Sequence, residues 1–238
     1  MSRSSLLALP LLFFTPAGAA QELSGKQSIG VRFDFQPTSS NALIGTAEER
    51  RIVSASVQYG RVLLARPRFS LAYEGSVTPL FQERDPTLIG YTVTQFGSTQ
   101  KQFIPPQRVV AEDHRPIGYV NSSSGPATPI YGLYGTETHY AFEASPIGFR
   151  FNTPLFRRAQ LTLGTSGGVI FSPQDLIVDQ ASKVNYSGTF GGGVEFAYQP
   201  RRAVRLEYVL RHISNGNTGY LNPGIDAGVF RVTLLRSR

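Results

Sequence analysis

The chain has 238 residues, a formal charge of +7, 41% hydrophobic and only 16% charged residues. It holds no cysteine, which excludes a disulfide framework, a thiolate metal site and a lipid-anchored cysteine. The excess of positive charge suits an anionic partner such as phosphorylated lipid, although many arginines fall in short turns (Arg66, Arg68, Arg157, Arg158, Arg201, Arg202) where a solvated role explains them. No compact basic and aromatic motif argues for nucleic acid.

Met1-Ser2-Arg3 is a short basic start, Leu6 to Phe14 is an apolar run, and Ala17-Gly18-Ala19-Ala20 offers small residues for a peptidase. This pattern reads as a secretory signal peptide over residues 1–20, leaving 21–238 as the exported chain. The apolar run is shorter than the roughly 20 residues that a membrane-spanning helix needs.

From Ser28 to Phe35 the residues alternate strictly, with Ile29, Val31, Phe33 and Phe35 on one face and Ser28, Gly30, Arg32 and Asp34 on the other. Period two is the mark of a two-faced strand. A second strand follows at Val53–Gly60 and a third at Phe69–Val77, joined by a tight turn at Ala65-Arg66-Pro67-Arg68. Residues 79–139 are rich in Pro, Gly, Ser and Thr and are expected to form one long loop insertion, with a small hairpin of its own at most. Alternation resumes at Tyr140 and shifts phase at Ser145-Pro146, which predicts a one-residue bulge. Further strands are predicted over Gln160–Phe171, Ser187–Tyr198, Ala203–Ser214 and Ile225–Leu235.

Eight consecutive amphipathic strands make either a soluble ligand-binding barrel or a membrane barrel, and the polar faces decide between them. They carry Arg32, Arg150, Arg205, Arg211 and Arg231 against Asp34, Glu74, Glu143, Glu195 and Glu207. A balanced set of charges fits the closed interior of a small barrel whose aromatic and aliphatic faces point into lipid. The expected fold is therefore all-β, an eight-stranded antiparallel up-and-down transmembrane β-barrel of the bacterial outer membrane. Its longer connections, 79–139 above all, face outside.

The chemistry concentrates in Arg211-His212-Ile213-Ser214-Asn215 and Asn222-Pro223-Gly224-Ile225-Asp226. His212 and Ser214, two apart on a strand, project from one face about 7 Å apart at the backbone. A hairpin centred near Gly219 sets His212 opposite Asp226. A serine nucleophile needs an imidazole to take its proton, and the imidazole needs a carboxylate to fix its tautomer. Along their strands all three share the parity of the lipid-facing residues. His114 and His139 lie near acidic residues without the spacing of a metal site, and the chemistry calls for no cofactor or metal.

These motifs, with Ser145-Pro146-Ile147-Gly148-Phe149-Arg150 and Gly168-Val169-Ile170-Phe171, resemble the lipid A 3-O-deacylases (PagL-type acyloxyacyl hydrolases) of the outer membrane. The resemblance covers most of the exported chain except residues 79–139. It implies removal of an ester-linked acyl chain from lipid A of lipopolysaccharide, with His212 as base, Ser214 as nucleophile and Asn215 as an oxyanion contributor. The acidic member, usually glutamate in that family, falls on Asp226. Lipid A and membrane lipid are the implied partners, and a homodimer is compatible with the reading. The rival reading is a non-catalytic barrel of the same fold with an adhesion or envelope-structural role.

Overall fold

The computed structural model describes residues 26–40, 43–95, 97–121 and 126–238. The expected signal peptide lies outside them. Ten strands follow in order: β1 (Gln27–Gln36), β2 (Arg51–Arg66), β3 (Phe69–Gln95), β4 (Ser98–Arg108), β5 (Gly118–Val120), β6 (Thr128–Phe156), β7 (Ala159–Leu176), β8 (Ser182–Gln199), β9 (Arg202–Ser214) and β10 (Ile225–Ser237). Sequential neighbours pair antiparallel, β1 pairs with β10, and β3 pairs with β6. The ring of β1, β2, β3, β6, β7, β8, β9 and β10 is thus closed, which satisfies the backbone internally as a membrane requires. Its eight strands are the eight expected from the alternation. The bulge at Ser145-Pro146 is present too, as a break in register between Ala144 and Ile147.

The faces are those of a membrane barrel. On β1, Ile29, Val31, Phe33 and Phe35 are exposed while Arg32 and Asp34 between them are buried. Inside, Arg231 binds both oxygens of Asp34 at 2.9 Å. Arg150 bridges Glu74 at 2.6 Å and Glu207 at 2.5 Å, Arg205 bridges Glu74 at 2.9 Å and Glu195 at 2.8 Å, and Arg211 pairs with Glu143 while lying over the ring of Phe81. With Arg32 3.6 Å from Asp34, all ten lumenal charges of the sequence take part in ion pairs, and two cavities within the lumen measure about 20 and about 30 Å³. Spaces of that size hold a water or two, so the barrel is filled and is not a pore.

Residues 79–139 depart from the expected loop. β3 and β6 remain paired from Ser70↔Asn152 up to Val93↔Ile130, with β4 added to the outer edge of β3 and β5 to that of β6. The excursion is a sheet, ordered β4-β3-β6-β5, rising beyond the barrel wall. Past Arg84 on β3 and before Phe142 on β6 these strands no longer pair with β2 and β7, so the sheet does not enclose the charged lumen and its sequence has no reason to alternate between apolar and charged residues.

At the same end the mouth is plugged. Leu176, Ile177, Val178 and Ala181 from the β7–β8 connection pack on inward-facing Phe81, Ile170, Ile213 and Ile225. Above them, buried Arg50 donates to the carbonyls of Glu48, Val109, Val110 and Ile177, fastening three connections to one guanidinium. Its Nε faces Glu83 at 3.7 Å and Asp85 at 3.4 Å. Neither oxygen of Glu83 meets a protein donor. Lying above the lipid-facing belt, this carboxyl is held well above its usual range, by complete burial first and then by the charge of Asp85; a proton kept on Glu83 and shared with Asp85 satisfies the pair.

Two outcomes are expected. Arg150→Met strands Glu207 in the lumen and leaves Glu74 with Arg205 alone, and should cost about 3–5 kcal/mol of stability, read from urea unfolding in lipid vesicles. Glu83 has a raised folded pKa, so ionising it opposes folding: the contribution of this one group to stability is fully present below the ordinary carboxylate range and is lost as pH rises from there. Glu83→Gln removes that decline, and unfolding measured in mild acid and mild alkali should show a flatter profile than the native protein.

Candidate active site

The site is built from the upper ends of β9 and β10 and from the β1–β2 connection. Ile213 and Ile225 are fully buried in the mouth plug. With Ile213 pointing inward, its neighbours His212 and Ser214 are forced outward by the strand's period of two. Both are half-buried.

Asp226 pairs with His212 in the antiparallel register, as the hairpin centre requires. His212 Nδ1 lies 2.6 Å from Asp226 Oδ1. With Nδ1–H donating to the carboxylate, Nε2 is left as the free nitrogen of the ring. Ser214 is next along the same face, and no hydrogen bond joins it to His212 among the described residues.

Asp226 has outward parity, but it does not face lipid. It is 0% exposed, because residues 43–47 are laid along the end of β10. The amides of Leu43, Ile44 and Gly45 all donate to Asp226 Oδ2, at 2.8, 2.6 and 2.7 Å. The main chain is clamped as well: Ser40 N–H donates to Asp226 O at 2.9 Å and Ala47 N–H to Gly224 O at 2.9 Å. Three amide donors and an imidazole surround one carboxylate, which is strong stabilisation of its charged form. A Cβ on Gly45 would stand 2.8 Å from the Asp226 nitrogen, so glycine permits this approach. None of these donors leaves a mark in a motif, since backbone N–H groups belong to every residue; Gly45 is the one sequence signal.

The β9–β10 connection is ordered by amide side chains. Asn215 is buried; its Oδ1 accepts from Asn217 N–H at 2.9 Å and its Nδ2 donates to Leu221 O at 2.7 Å. Asn222 Oδ1 accepts from Asn215 N–H at 3.1 Å, and its Nδ2 donates to Asn217 Oδ1 at 2.9 Å. Gly216 and Asn217, with φ of 61° and 63°, take the left-handed conformation that Gly and Asn tolerate best. Asn215, expected at the oxyanion, is thus engaged in the loop beside Ser214. Asn217 and Asn222 are the partners that sequence reasoning did not assign.

Across the wall from His212, its register partner is Gly188, whose partner in turn is Gly167. A Cβ at either glycine would meet nothing within 4 Å. Beyond them stands Ile147, 62% exposed, and Tyr186 flanks Ser214 in register. The result is an open lane on the apolar wall leading away from the imidazole.

The other histidines lie apart from this constellation. His139 is buried at the mouth, 3.5 Å from Asp85. His114 is exposed in the β4–β5 connection, the cap tied over the mouth through Val109 and Val110, and its ring, Glu49 and Glu112 bring donor atoms within 4.8 Å of one another.

A closed ring with a charged, paired lumen and an apolar outer wall defines an outer-membrane β-barrel, here with a carboxylate–imidazole pair on the wall. A profile of the family described as lipid A 3-O-deacylase (PagL) matches residues 111–234, and the chain belongs to that family. No curated protein matches it in sequence. Among solved structures it is similar to the outer membrane enzyme PagL, at 11% identity and a TM-score of 0.47 over 86% of this chain and 97% of that one. It is also similar to Ail, the attachment invasion locus protein of Yersinia pestis, at 9% identity and a TM-score of 0.39 over 90% and 98% of the two chains.

Removing the Asp226 carboxylate should loosen the 43–47 clamp. Hydrogen bonds to a charged acceptor contribute about 1.5–3 kcal/mol each, so Asp226→Ala should speed amide exchange at Leu43, Ile44 and Gly45 about tenfold or more. Hydrogen-exchange mass spectrometry checks this, with exchange in β1 and β10 near their periplasmic ends unchanged.

Proposed function

We propose that this protein is an outer-membrane esterase that removes an ester-linked acyl chain, the 3-O chain, from lipid A, with Ser214 as nucleophile, His212 as general base and Asp226 as the orienting acid. Family membership supports the reaction class. The observation that carries the mechanism is the 2.6 Å contact between His212 Nδ1 and Asp226 Oδ1, with Ser214 next on the same outward face.

Ser214 Oγ attacks the ester carbonyl carbon while His212 Nε2 takes its proton. Asp226 holds the imidazole in the tautomer that leaves Nε2 unprotonated and stabilises the imidazolium that forms. Collapse of the tetrahedral intermediate breaks the bond to the sugar oxygen, which recovers the proton from His212. Water then hydrolyses the acyl-serine by the same route in reverse. The gap between His212 and Ser214 is the ordinary state of such a pair without substrate, since these bonds tighten in the complex. Asn215 serves the oxyanion through the loop that it closes, by keeping the 216–222 backbone beside Ser214. The lane over Gly188 and Gly167 gives the departing chain an apolar path on the wall, so the substrate need not leave the membrane.

The test is mass spectrometry of lipid A from cells with and without the protein. Wild-type protein should remove one hydroxyacyl chain, and Ser214→Ala should leave lipid A intact while still inserting as a folded barrel. Asp226→Asn sets an amide against His212 and favours the wrong tautomer, a change that costs about 10⁴ in turnover in comparable triads. Asp226→Glu drives a longer side chain into residues 43–45 and should be nearly as damaging. Unaltered deacylation by Ser214→Ala overturns the serine mechanism.

A further inference from the structure

The charge of +7 is unevenly placed. The lumen is balanced, and the acids outside it stand in the mouth and the cap. The opposite end, where the foot of β1, the end of β10 and the short turns lie, is rich in arginine. Arg66 and Arg68 turn β2 into β3, Arg157 and Arg158 turn β6 into β7, and Arg201 and Arg202 turn β8 into β9. No Asp or Glu among the described residues stands in these turns or in the adjoining strand ends. In a barrel with short turns on the periplasmic side, this basic collar meets the inner leaflet of the outer membrane.

One part of the collar is a built site. On the outer wall at the foot of β1, Ile29 lies in register between Tyr59 of β2 and Arg236 of β10. One step lower, Gln27 lies between Arg61 and Arg238, with which it exchanges backbone hydrogen bonds. Next to these residues is a cavity of about 260 Å³, lined by Gln27, Ser28, Ile29, Tyr59, Arg236 and Arg238, with Arg61 just outside its lining. It is far larger than the lumenal spaces. The ion pairs of the described residues lie in the lumen, the mouth and the cap, and none involves Arg61, Arg236 or Arg238. The floor is apolar and aromatic and the rim is cationic, at the height where the apolar belt ends.

We propose that this cavity is a binding site for one anionic glycerophospholipid of the inner leaflet, of the phosphatidylglycerol class. Its phosphodiester is held by Arg236 and Arg238, with Arg61 adding positive charge beside Gln27, and its glycerol and upper chains lie on Ile29 and Tyr59. Guanidinium groups suit a phosphate because their fixed donors match its oxygens. The tyrosine ring is at home at the level of the headgroups. The substrate of the proposed reaction lies in the other leaflet, so this site is separate from the chemistry at Ser214.

The test uses the mature, folded protein in vesicles of phosphatidylcholine alone or mixed with phosphatidylglycerol. Native mass spectrometry reads the phospholipid retained. A cation near an anionic surface favours binding about fivefold, and three together about a hundredfold. Wild-type protein should therefore retain phosphatidylglycerol in strong preference to phosphatidylcholine. The triple variant Arg61→Gln, Arg236→Gln, Arg238→Gln should lose that preference, and the corresponding triple lysine variant should keep most of it. Arg157→Gln with Arg158→Gln, which neutralises another part of the collar, should keep it fully, as should Ser214→Ala. Equal retention of the two lipids by the wild type overturns the proposal. So does an equal loss in the Arg157 and Arg158 variant, which would assign the effect to the collar's general field, and so does displacement of the retained lipid by lipid A.

Discussion

The pairing of charges inside the barrel is the constraint from which the rest follows. Arginines and carboxylates on inward faces are tolerable only where each finds a partner, because an unpaired charge in that filled lumen carries several kcal/mol of desolvation. Arg150 between Glu74 and Glu207, and Arg231 on Asp34, meet that condition. With the polar residues locked inside, the alternate positions are left to lipid, and the lumen has no room for a substrate. The carboxylate–imidazole pair of His212 and Asp226 accordingly sits on the outer wall.

At the top of β9 that constraint acts locally. Ile213 is anchored in the apolar plug and its neighbours are thereby turned outward, to the edge of the apolar belt. His212 tolerates the position because it is half-covered and bonded to Asp226. Asp226 tolerates it because the 43–47 segment has removed it from lipid and supplied three amide donors. The scaffold therefore protects a charge on an apolar surface with main chain, whose donors are fixed in place and carry no side-chain entropy.

The legible parts of the molecule were those with a two-sided environment. Strands between lipid and a charged lumen alternate, so β1 and β9 could be read from Ser28–Phe35 and Val204–Ser214 almost to their ends. The facing of His212 and Asp226 followed from symmetry about Gly219, because an antiparallel hairpin fixes every pair once its centre is known. The sheet of β4, β3, β6 and β5 could not be read in the same way. It extends past the closed ring and encloses no charged lumen, and Pro105-Pro106 and the Thr-rich runs of residues 79–139 resembled a loop. The clamp over Asp226 was equally hidden, since Leu43 and Ile44 act there through their amides. Asn215 stood out in the sequence beside Ser214, but its engagement with Leu221 and Asn217 depends on a loop conformation set by two left-handed residues.

The pairing of β1 with β10 has a consequence for when the site comes into being. His212 and Asp226 reside near the end of the chain, while the clamp that buries Asp226 hangs from β1, near its beginning. These parts meet only when the first and last strands join and the ring shuts. A chain whose ends are still apart holds His212 and Asp226 without the segment that covers the carboxylate. Closing the ring and enclosing Asp226 are in this way a single event, which the first and last strands complete together.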